Sequence, residues 1–203
     1  MSALFISFEG IDGCGKSTQC GLLSDYFSQQ GRHPLTLREP GATKLGENIR
    51  HLVQGDKEMH MDMHTEAYLY AAARCELVNT VIKPALARGQ TVICDRFIHS
   101  SLAYQGYARG MGVETVKRIN AVAVSDTMPQ LTFWIDTPVA IAQSRMLSGE
   151  LDRIEAEGRD FQAKALAGYQ ALAAFDSTLI HINGNQEAQA VHQQILAHVQ
   201  AYS

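Results

Sequence analysis

The sequence has few cysteines, no long apolar run and no excess of basic charge. Its 203 residues include only four cysteines, none in a C-x-x-C pair, which predicts free thiols in a reducing compartment. No apolar stretch approaches the ~20 residues of a membrane helix. The net charge of −4 lacks the basic excess typical of proteins that bind nucleic acid. An apolar run begins at Leu4 and leaves no room for a signal peptide. We therefore predict a cytoplasmic protein whose partners are neither membranes nor nucleic acid polymers.

Apolar runs that alternate with helical periodicity indicate an α/β protein. Five runs suit buried strands: residues 4–8, 35–37, 91–94, 131–136 and 179–182. The clearest helical patterns cover about 16–31, 65–88, 113–124 and 190–199. Strands separated by helices predict a five-stranded parallel sheet with right-handed crossovers. We expect residues 1–203 to form one domain.

Residues 10–17 read G-x-x-x-x-G-K-S and lie between a predicted strand and a predicted helix. In such a phosphate-binding loop, successive backbone N–H groups and the helix N-terminus surround an anion. Lys16 can reach the β- and γ-phosphates, and the Ser17 hydroxyl can ligate Mg²⁺. We therefore predict a three-layer α/β/α P-loop fold that binds a nucleoside triphosphate. The predicted nucleotide-binding residues are Gly10, Ile11, Asp12, Gly13, Cys14, Gly15, Lys16, Ser17 and Thr18.

Charged residues follow two predicted strands at their carboxyl ends, where open parallel sheets bind ligands. Arg38 follows the strand at 35–37, and Asp95 and Arg96 follow the strand at 91–94. An aspartate here, beside a phosphate-binding loop, is typical of a Mg²⁺ site. Arg38 is placed to meet an anion, and Arg96 could bridge two phosphates.

Arg74 lies on an otherwise apolar stripe of the helix predicted over 65–88. A guanidinium without a partner there would cost several kcal/mol, so Arg74 needs an anion. The residues leave two alternatives open: an anionic ligand, or a salt bridge with a carboxylate such as Glu76 or Asp95.

Two further segments are polar. Ser100, Ser101, Tyr104 and Gln105 supply hydroxyls and an amide, and an amide suits the edge of a base because it both donates and accepts. The alternative is that these residues only cap helices or face solvent. A second segment, about 142–160, contains glycine and arginines and suggests a lid that closes on the phosphates. The alternative is a solvated connection between helices.

Five motifs together resemble the signatures of bacterial thymidylate kinases. They are the loop at 10–17, R-E-P-G-A-T at 38–43, D-R-F at 95–97, S-S-L-A-Y-Q-G at 100–106 and L-D-R-I-E at 151–155. The resemblance spans essentially the whole chain. It implies an enzyme of dTTP biosynthesis that transfers the γ-phosphoryl group of ATP to dTMP with Mg²⁺. It also implies a homodimer, for which the helices at 65–82 and 113–124 are candidate interfaces.

The resemblance assigns roles to matching positions of this sequence. The implied acceptor-binding residues are Asp12 (3′-hydroxyl), Arg38, Arg50, Arg74 and Arg96 (phosphates), Tyr70 (face of thymine), Tyr104 (sugar), and Ser101 and Gln105 (edge of the base). The implied catalytic residues are Lys16, Asp95, Arg96 and Arg153. The implied metal ligands are Ser17 and Asp95.

Two single positions and one short segment depart from the family pattern. Ala42 stands where a second glycine is common, Tyr70 replaces the usual phenylalanine, and residues 146–148 are Met-Leu-Ser in a usually basic stretch. Because the phosphate-binding loop holds no arginine, a lid arginine should supply transition-state charge. Arg153 is the better match and Arg145 the reserve. Two alternatives stay open: a kinase with another acceptor (dUMP, another nucleoside monophosphate or a nucleoside), and a weakly active nucleotide-binding regulator.

Overall fold

Five parallel strands form the central sheet of the computed structural model, which describes residues 3–55, 58–146 and 152–202. The strands are β1 (Phe5–Glu9), β2 (Leu35–Arg38), β3 (Val92–Asp95), β4 (Leu131–Asp136) and β5 (Leu179–Asn183). Their order across the sheet is β2-β3-β1-β4-β5, and every neighbouring pair is parallel. The predicted α/β fold with a five-stranded parallel sheet is confirmed. The strand bounds differ from the predicted ones by at most one residue at either end.

Helices connect and flank the strands. They are α1 (Lys16–Gln29), α2 (Lys44–Arg50), α3 (Met63–Leu77), α4 (Lys83–Ala87), α5 (Ile98–Ser101), α6 (Val113–Val124), α7 (Val139–Arg145), α8 (Arg159–Ala173) and α9 (Ala188–Tyr202). Wider π-helical turns span His51–Gly55, Val78–Ile82 and Leu102–Ala108, and a 3₁₀ turn spans Glu155–Glu157. Within the described ranges, no helix is both long enough and apolar enough to cross a membrane.

The helix predicted over 65–88 is a helical run of three parts. α3 continues into the π-helical turn Val78–Ile82, which continues into α4. Pro84 lacks the N–H that would bond to a carbonyl in the preceding turn, and its ring crowds that turn. The wider π-helical turn ends at Ile82, two residues before this proline, and covers the turn that the ring would crowd.

We did not predict α8 from the sequence. Four of its buried residues recur at helical spacing, so the sequence does contain a signal for this helix: Phe161, Ala165, Tyr169 and Leu172. The lid predicted over about 142–160 includes the end of α7 at Arg145 and the 3₁₀ turn Glu155–Glu157. Residues 147–151 of this segment lie outside the described residues. That these segments act as a lid stays a prediction.

The carboxyl ends of β1, β2 and β3 meet at one edge of the sheet. Phe8 and Arg38 both pair with Asp95, so three neighbouring strands end at the same level. The central strand β1 lies in the core, since each of its residues is buried. The polar segments that follow the three strands therefore converge at this edge.

Helix α8 packs closely on the π-helical turn Leu102–Ala108, which carries two of the predicted site residues. Gly168 lies at this contact, where an added Cβ would lie 2.9 Å from Tyr107 Cβ and 3.1 Å from the Ala103 carbonyl oxygen. By contrast, a Cβ added at Gly21 in α1 would meet no atom within 4 Å.

We expect Gly168→Ala to lower the free energy of unfolding by about 1–3 kcal/mol, because the backbones of α8 and the turn must separate. The matched control Gly21→Ala should raise it by about 0.4–1 kcal/mol, because alanine restricts the unfolded chain without a clash. Urea denaturation of both variants measures these changes. Equal effects at the two positions would contradict the close packing of α8.

Candidate active site

The loop between β1 and α1 has a backbone that requires glycine. Gly10 and Gly13 have φ values of 136° and 77°, where side chains are strained. A Cβ at Gly13 would also overlap the carbonyl oxygen of Ala142. Lys16 folds back across the loop, with its Nζ 3.2 Å from the carbonyl oxygen of Gly10 and 2.9 Å from that of Ile11. The loop thus holds a lysine ammonium close against its own backbone.

Ser17 and Asp95, the predicted metal ligands, are in contact. The Ser17 hydroxyl donates to Asp95 Oδ2 at 2.5 Å, so the start of α1 and the end of β3 bring two oxygen ligands together. Within the described parts of the chain, no group of three or more His, Cys, Asp or Glu side chains could hold a metal ion. Mg²⁺ commonly takes one or two protein oxygens and completes its shell with phosphate and water. The pair fits a Mg²⁺ ion of that kind.

Asp12 and Arg96 form an ion pair that joins the phosphate-binding loop to the end of β3. Arg96 also donates to the Gly10 carbonyl oxygen at 2.8 Å and to Ser100 Oγ at 3.0 Å. Burial alone would raise the pKa of Asp12, but the charges of Arg96 and Lys16 outweigh it and hold that pKa at about 2. The φ of Arg96 is 72°, a strained value for a residue with a side chain. Its position is therefore fixed by these contacts.

Glu9, which was not among the predicted site residues, is connected to this ion pair through Ser100. Its side chain is completely buried. The carboxylate accepts hydrogen bonds from Ser100 Oγ at 2.6 Å, the Tyr169 hydroxyl at 3.0 Å and the Phe97 backbone N–H at 2.8 Å. Ser100 in turn accepts a hydrogen bond from Arg96, so Glu9 holds the arginine indirectly, through Ser100.

A pocket opens beside the ion pair. Seven of the predicted acceptor-binding residues line it: Asp12, Tyr70, Arg74, Arg96, Ser101, Tyr104 and Gln105. It is also lined by Ser100, a member of the polar segment described above, and by four residues without a predicted role: Glu39, Pro40, Gln54 and Ile154. The structure thus brings together residues that are far apart in the sequence.

Arg74 is buried and its guanidinium is fully engaged by protein groups. It pairs with Glu39, with the Nε–Oε2 distance at 2.8 Å and the Nη2–Oε2 distance at 2.6 Å. It also donates to Ser101 Oγ at 3.1 Å, to Asn120 Oδ1 and to the Phe97 carbonyl oxygen at 3.1 Å. The carboxylate partner is therefore Glu39, and the two partners suggested as examples from the sequence were wrong. Contact with the acceptor phosphate stays a prediction.

Arg38 and Arg50, also predicted at the acceptor phosphate, do not line this pocket. The Arg38 side chain is 53% exposed and pairs with Glu47 at 2.8 Å. Arg50 donates to the carbonyl oxygen of Pro40, a lining residue, at 3.1 Å. Both arginines are thus held near the turn that follows β2, and their roles stay predictions.

Tyr104 and Gln105 lie on the π-helical turn and are held by different partners. The Tyr104 hydroxyl lies 3.2 Å from Gln162 Oε1 and 3.4 Å from Asp12 Oδ2. Gln105 Nε2 donates to Glu66 Oε1 at 2.9 Å. Helices α3 and α8 therefore hold the two polar side chains to which the family resemblance gives contacts with the sugar and the base.

The two candidate lid arginines lie at different places. Arg153 is buried, pairs with Glu66 and donates from Nε to the Val53 carbonyl oxygen at 2.7 Å. Arg145 donates from both terminal nitrogens to the Gly184 carbonyl oxygen at 3.1 Å. It lines a second cleft together with the loop residues Cys14, Gly15 and Thr18. Arg145 therefore borders the phosphate-binding loop, whereas Arg153 is held at the turn His51–Gly55. A catalytic role for either arginine stays a prediction.

Known proteins resemble this chain over nearly its whole length. A family model described as Thymidylate kinase matches residues 8–195. The chain belongs to the thymidylate kinase family. A thymidylate kinase from Fervidobacterium nodosum is 44% identical over 199 residues, covering 98% of this chain and 100% of the relative. One from Thermoanaerobacter sp. is 44% identical over 203 residues and covers both chains fully. One from Bacillus pumilus is 38% identical over 204 residues, covering 98% of this chain and 96% of the relative.

Buried carboxylates are the site feature that sequence reasoning missed in this thymidylate kinase family member. Glu9, Glu39 and Glu66 are each at most 5% exposed. Glu9 stands in an otherwise apolar run directly before the phosphate-binding loop, which is a detectable signal because isolated buried charges need partners. Glu39 and Glu66 gave no such signal, since each lies in a polar or mixed stretch of sequence.

The buried Glu39 predicts a pH dependence of stability. Burial raises the pKa of Glu39 to about 7, although Arg74 opposes the shift. The unfolded carboxyl titrates near 4.5. The folded state therefore binds more protons between these values, and the stability contribution of Glu39 is fully present below pH 4.5 and is lost as the pH rises through 7.

We expect wild-type stability, measured relative to Glu39→Gln, to fall by on the order of 3 kcal/mol between pH 4.5 and 7. Urea denaturation of both proteins across this range measures it. Glu47→Gln is the control, because this exposed carboxylate also pairs with an arginine but lies outside the pocket. A difference between wild type and Glu39→Gln that does not change with pH would contradict the shifted pKa.

Proposed function

We propose that this chain phosphorylates dTMP to dTDP with ATP and Mg²⁺, by direct in-line transfer. Membership of the thymidylate kinase family supports the reaction. The observation that carries the proposal for the site is the Asp12–Arg96 ion pair. Asp12 belongs to the phosphate-binding loop and both residues line the acceptor pocket, which supports a path for the migrating phosphoryl group beside this pair.

The donor half of the proposed site is the phosphate-binding loop with Lys16 and the Ser17–Asp95 pair. Lys16 would contact the β- and γ-phosphates, and Ser17 and Asp95 would hold Mg²⁺, which neutralises phosphate charge when bound. The cleft beside Gly15 and Thr18 supports a place for the rest of the nucleotide, with Arg145 at its border.

The acceptor half is the pocket beside the ion pair. Arg96 would bind the acceptor phosphate, Tyr70 would stack on thymine, and Gln105 would meet the base edge. Arg74 hydrogen-bonds Ser101, which supports a place at the base end rather than at the phosphate. This differs from the phosphate role that the resemblance implied for Arg74.

Transfer in this site would rest on positioning and charge rather than on a general base. The acceptor is already an anionic phosphate, so no proton needs to be removed before attack. Lys16 and Arg96 would share the charge of the transferring group, and a loop that fixes both in advance lowers the barrier. Closure over the phosphates would exclude water and limit ATP hydrolysis.

We also propose that the protein works in the cytoplasm as a homodimer through α3 and α6. These helices pack on each other and carry the exposed apolar side chains Tyr68 and Val122 at 62% and 83% exposure. A monomeric mass in light scattering would count against the dimer.

Turnover of a panel of acceptors tests the proposed reaction. We expect dTMP to give the highest kcat/KM. Purine monophosphates should be at least about 100-fold lower, because a pocket built to hydrogen-bond one base rejects others, and nucleosides at least about 100-fold lower, because they lack the phosphate that Arg96 would bind and that accepts the transferred group. A coupled assay of ADP release with ATP and Mg²⁺ measures it.

Lys16→Ala is the control and should lower kcat by about 100-fold or more, because it removes preorganised charge from the phosphates. Another preferred acceptor, or tight nucleotide binding without turnover of any acceptor, would contradict the proposal. The second result would favour the regulator.

A further inference from the structure

Glu66 is a buried carboxylate outside the pocket whose role the proposed reaction does not explain. It lies in the first turn of α3, is 1% exposed and does not line the acceptor pocket. Its carboxylate accepts from Gln105 Nε2 at 2.9 Å and from Arg109 at 3.2 and 3.3 Å, and it pairs with Arg153. Three elements of the chain therefore converge on one side chain.

The contact with Glu66 determines which end of the Gln105 amide faces this carboxylate. A glutamine amide has a donor end, NH₂, and an acceptor end, the carbonyl oxygen, whereas an ionised carboxylate only accepts. The NH₂ group must therefore face Glu66. The same side chain lines the acceptor pocket, and none of the described residues donates a hydrogen bond to its amide oxygen.

We propose that Glu66 is a positioning residue that turns the amide oxygen of Gln105 toward the acceptor base, so that the pocket selects bases presenting an N–H at that edge. The proposal rests on the proposed function, because it assumes that the base of a nucleoside monophosphate occupies this pocket.

The surroundings keep Glu66 ionised, which the proposal requires. A protonated carboxyl could donate to the amide oxygen and allow the amide to turn over. Burial would raise the pKa of Glu66, but hydrogen bonds from Arg153 and Gln105 and the charge of Arg109 hold it below its ordinary value. Arg109 is itself fixed by Glu157 at 2.6 Å and by the ring of Phe161 at 4.4 Å.

The direction of the amide decides which pyrimidines fit. Thymine and uracil carry an N–H at N3, which can donate to the amide oxygen. Cytosine carries a lone pair at N3, which would face that oxygen without a hydrogen between them. A fixed acceptor therefore favours dTMP over dCMP, and leaving such polar groups unpaired in a buried site is costly.

The experiment compares kcat/KM for dTMP with kcat/KM for dCMP in four proteins: wild type, Glu66→Gln, Gln105→Met and the double variant. Glu66→Gln keeps the shape but allows the amide at position 105 to turn. We expect the dTMP-to-dCMP ratio to fall about tenfold or more in each single variant. The double variant should fall no further than Gln105→Met, because Glu66 acts through Gln105.

Glu157→Gln is the matched control. The substitution removes a carboxylate partner of Arg109, and Glu157 itself makes no hydrogen bond to Gln105. The dTMP-to-dCMP ratio of kcat/KM should therefore not change. If Glu66→Gln lowers kcat/KM for dTMP and for dCMP by the same factor, Glu66 has only a structural role. That result would overturn the proposal. Should this variant fail to fold, Glu66→Asp takes its place, since it keeps the charge but withdraws it from Gln105. An unchanged ratio there would overturn the proposal.

Dissociation constants separate this inference from the proposed reaction. Calorimetric titration with dTMP and with dCMP gives the ratio of the two dissociation constants, which measures the same preference without turnover. If wild type binds dTMP more tightly and Glu66→Gln loses the preference, the inference holds even where no monophosphate is phosphorylated. Absence of turnover would then count against the proposed reaction alone.

Discussion

The ion pair between Asp12 and Arg96 is the interaction on which the site depends. It joins the loop after β1 to the segment after β3, and its strained arginine is held by the Gly10 carbonyl oxygen and Ser100. A partly buried pair of this kind costs desolvation unless further hydrogen bonds complete it. Here Glu9 supplies the support through Ser100. The proposed donor and acceptor halves of the site therefore share this ion pair as a common border.

Buried glutamates form salt bridges and hydrogen bonds around the proposed acceptor pocket, and each holds a side chain in or near its wall. Glu39 holds Arg74, and Glu66 holds Gln105 and Arg153. A buried charge that loses its partner is strongly destabilising, so such contacts leave few alternative arrangements. The pocket is thus shaped before a ligand enters, which suits a reaction that relies on positioning.

The sequence predicted the parts of the molecule whose signals are local. The bounds of β4 and α6 follow from apolar periodicity, and the phosphate-binding loop follows from glycines that permit its backbone. The carboxylate partners could not be predicted, because they come from distant segments. Glu39 and Arg74 are 35 residues apart, and Glu66 and Arg153 are 87 apart. Only the folded chain brings these charges together.

The Asp12→Asn variant tests the shared border most directly, because it removes the charge opposite Arg96 and keeps the shape. Two quantities are measured: kcat/KM for dTMP, and the dissociation constant of a non-hydrolysable ATP analogue with Mg²⁺. We expect the first to fall about 100-fold, since Arg96 loses its fixed position, and the second to change less than about threefold, an energy below 1 kcal/mol. Equal losses in both would mean that the loop alone is damaged, and no loss in either would mean that the ion pair does not organise the site. Either result would contradict the account.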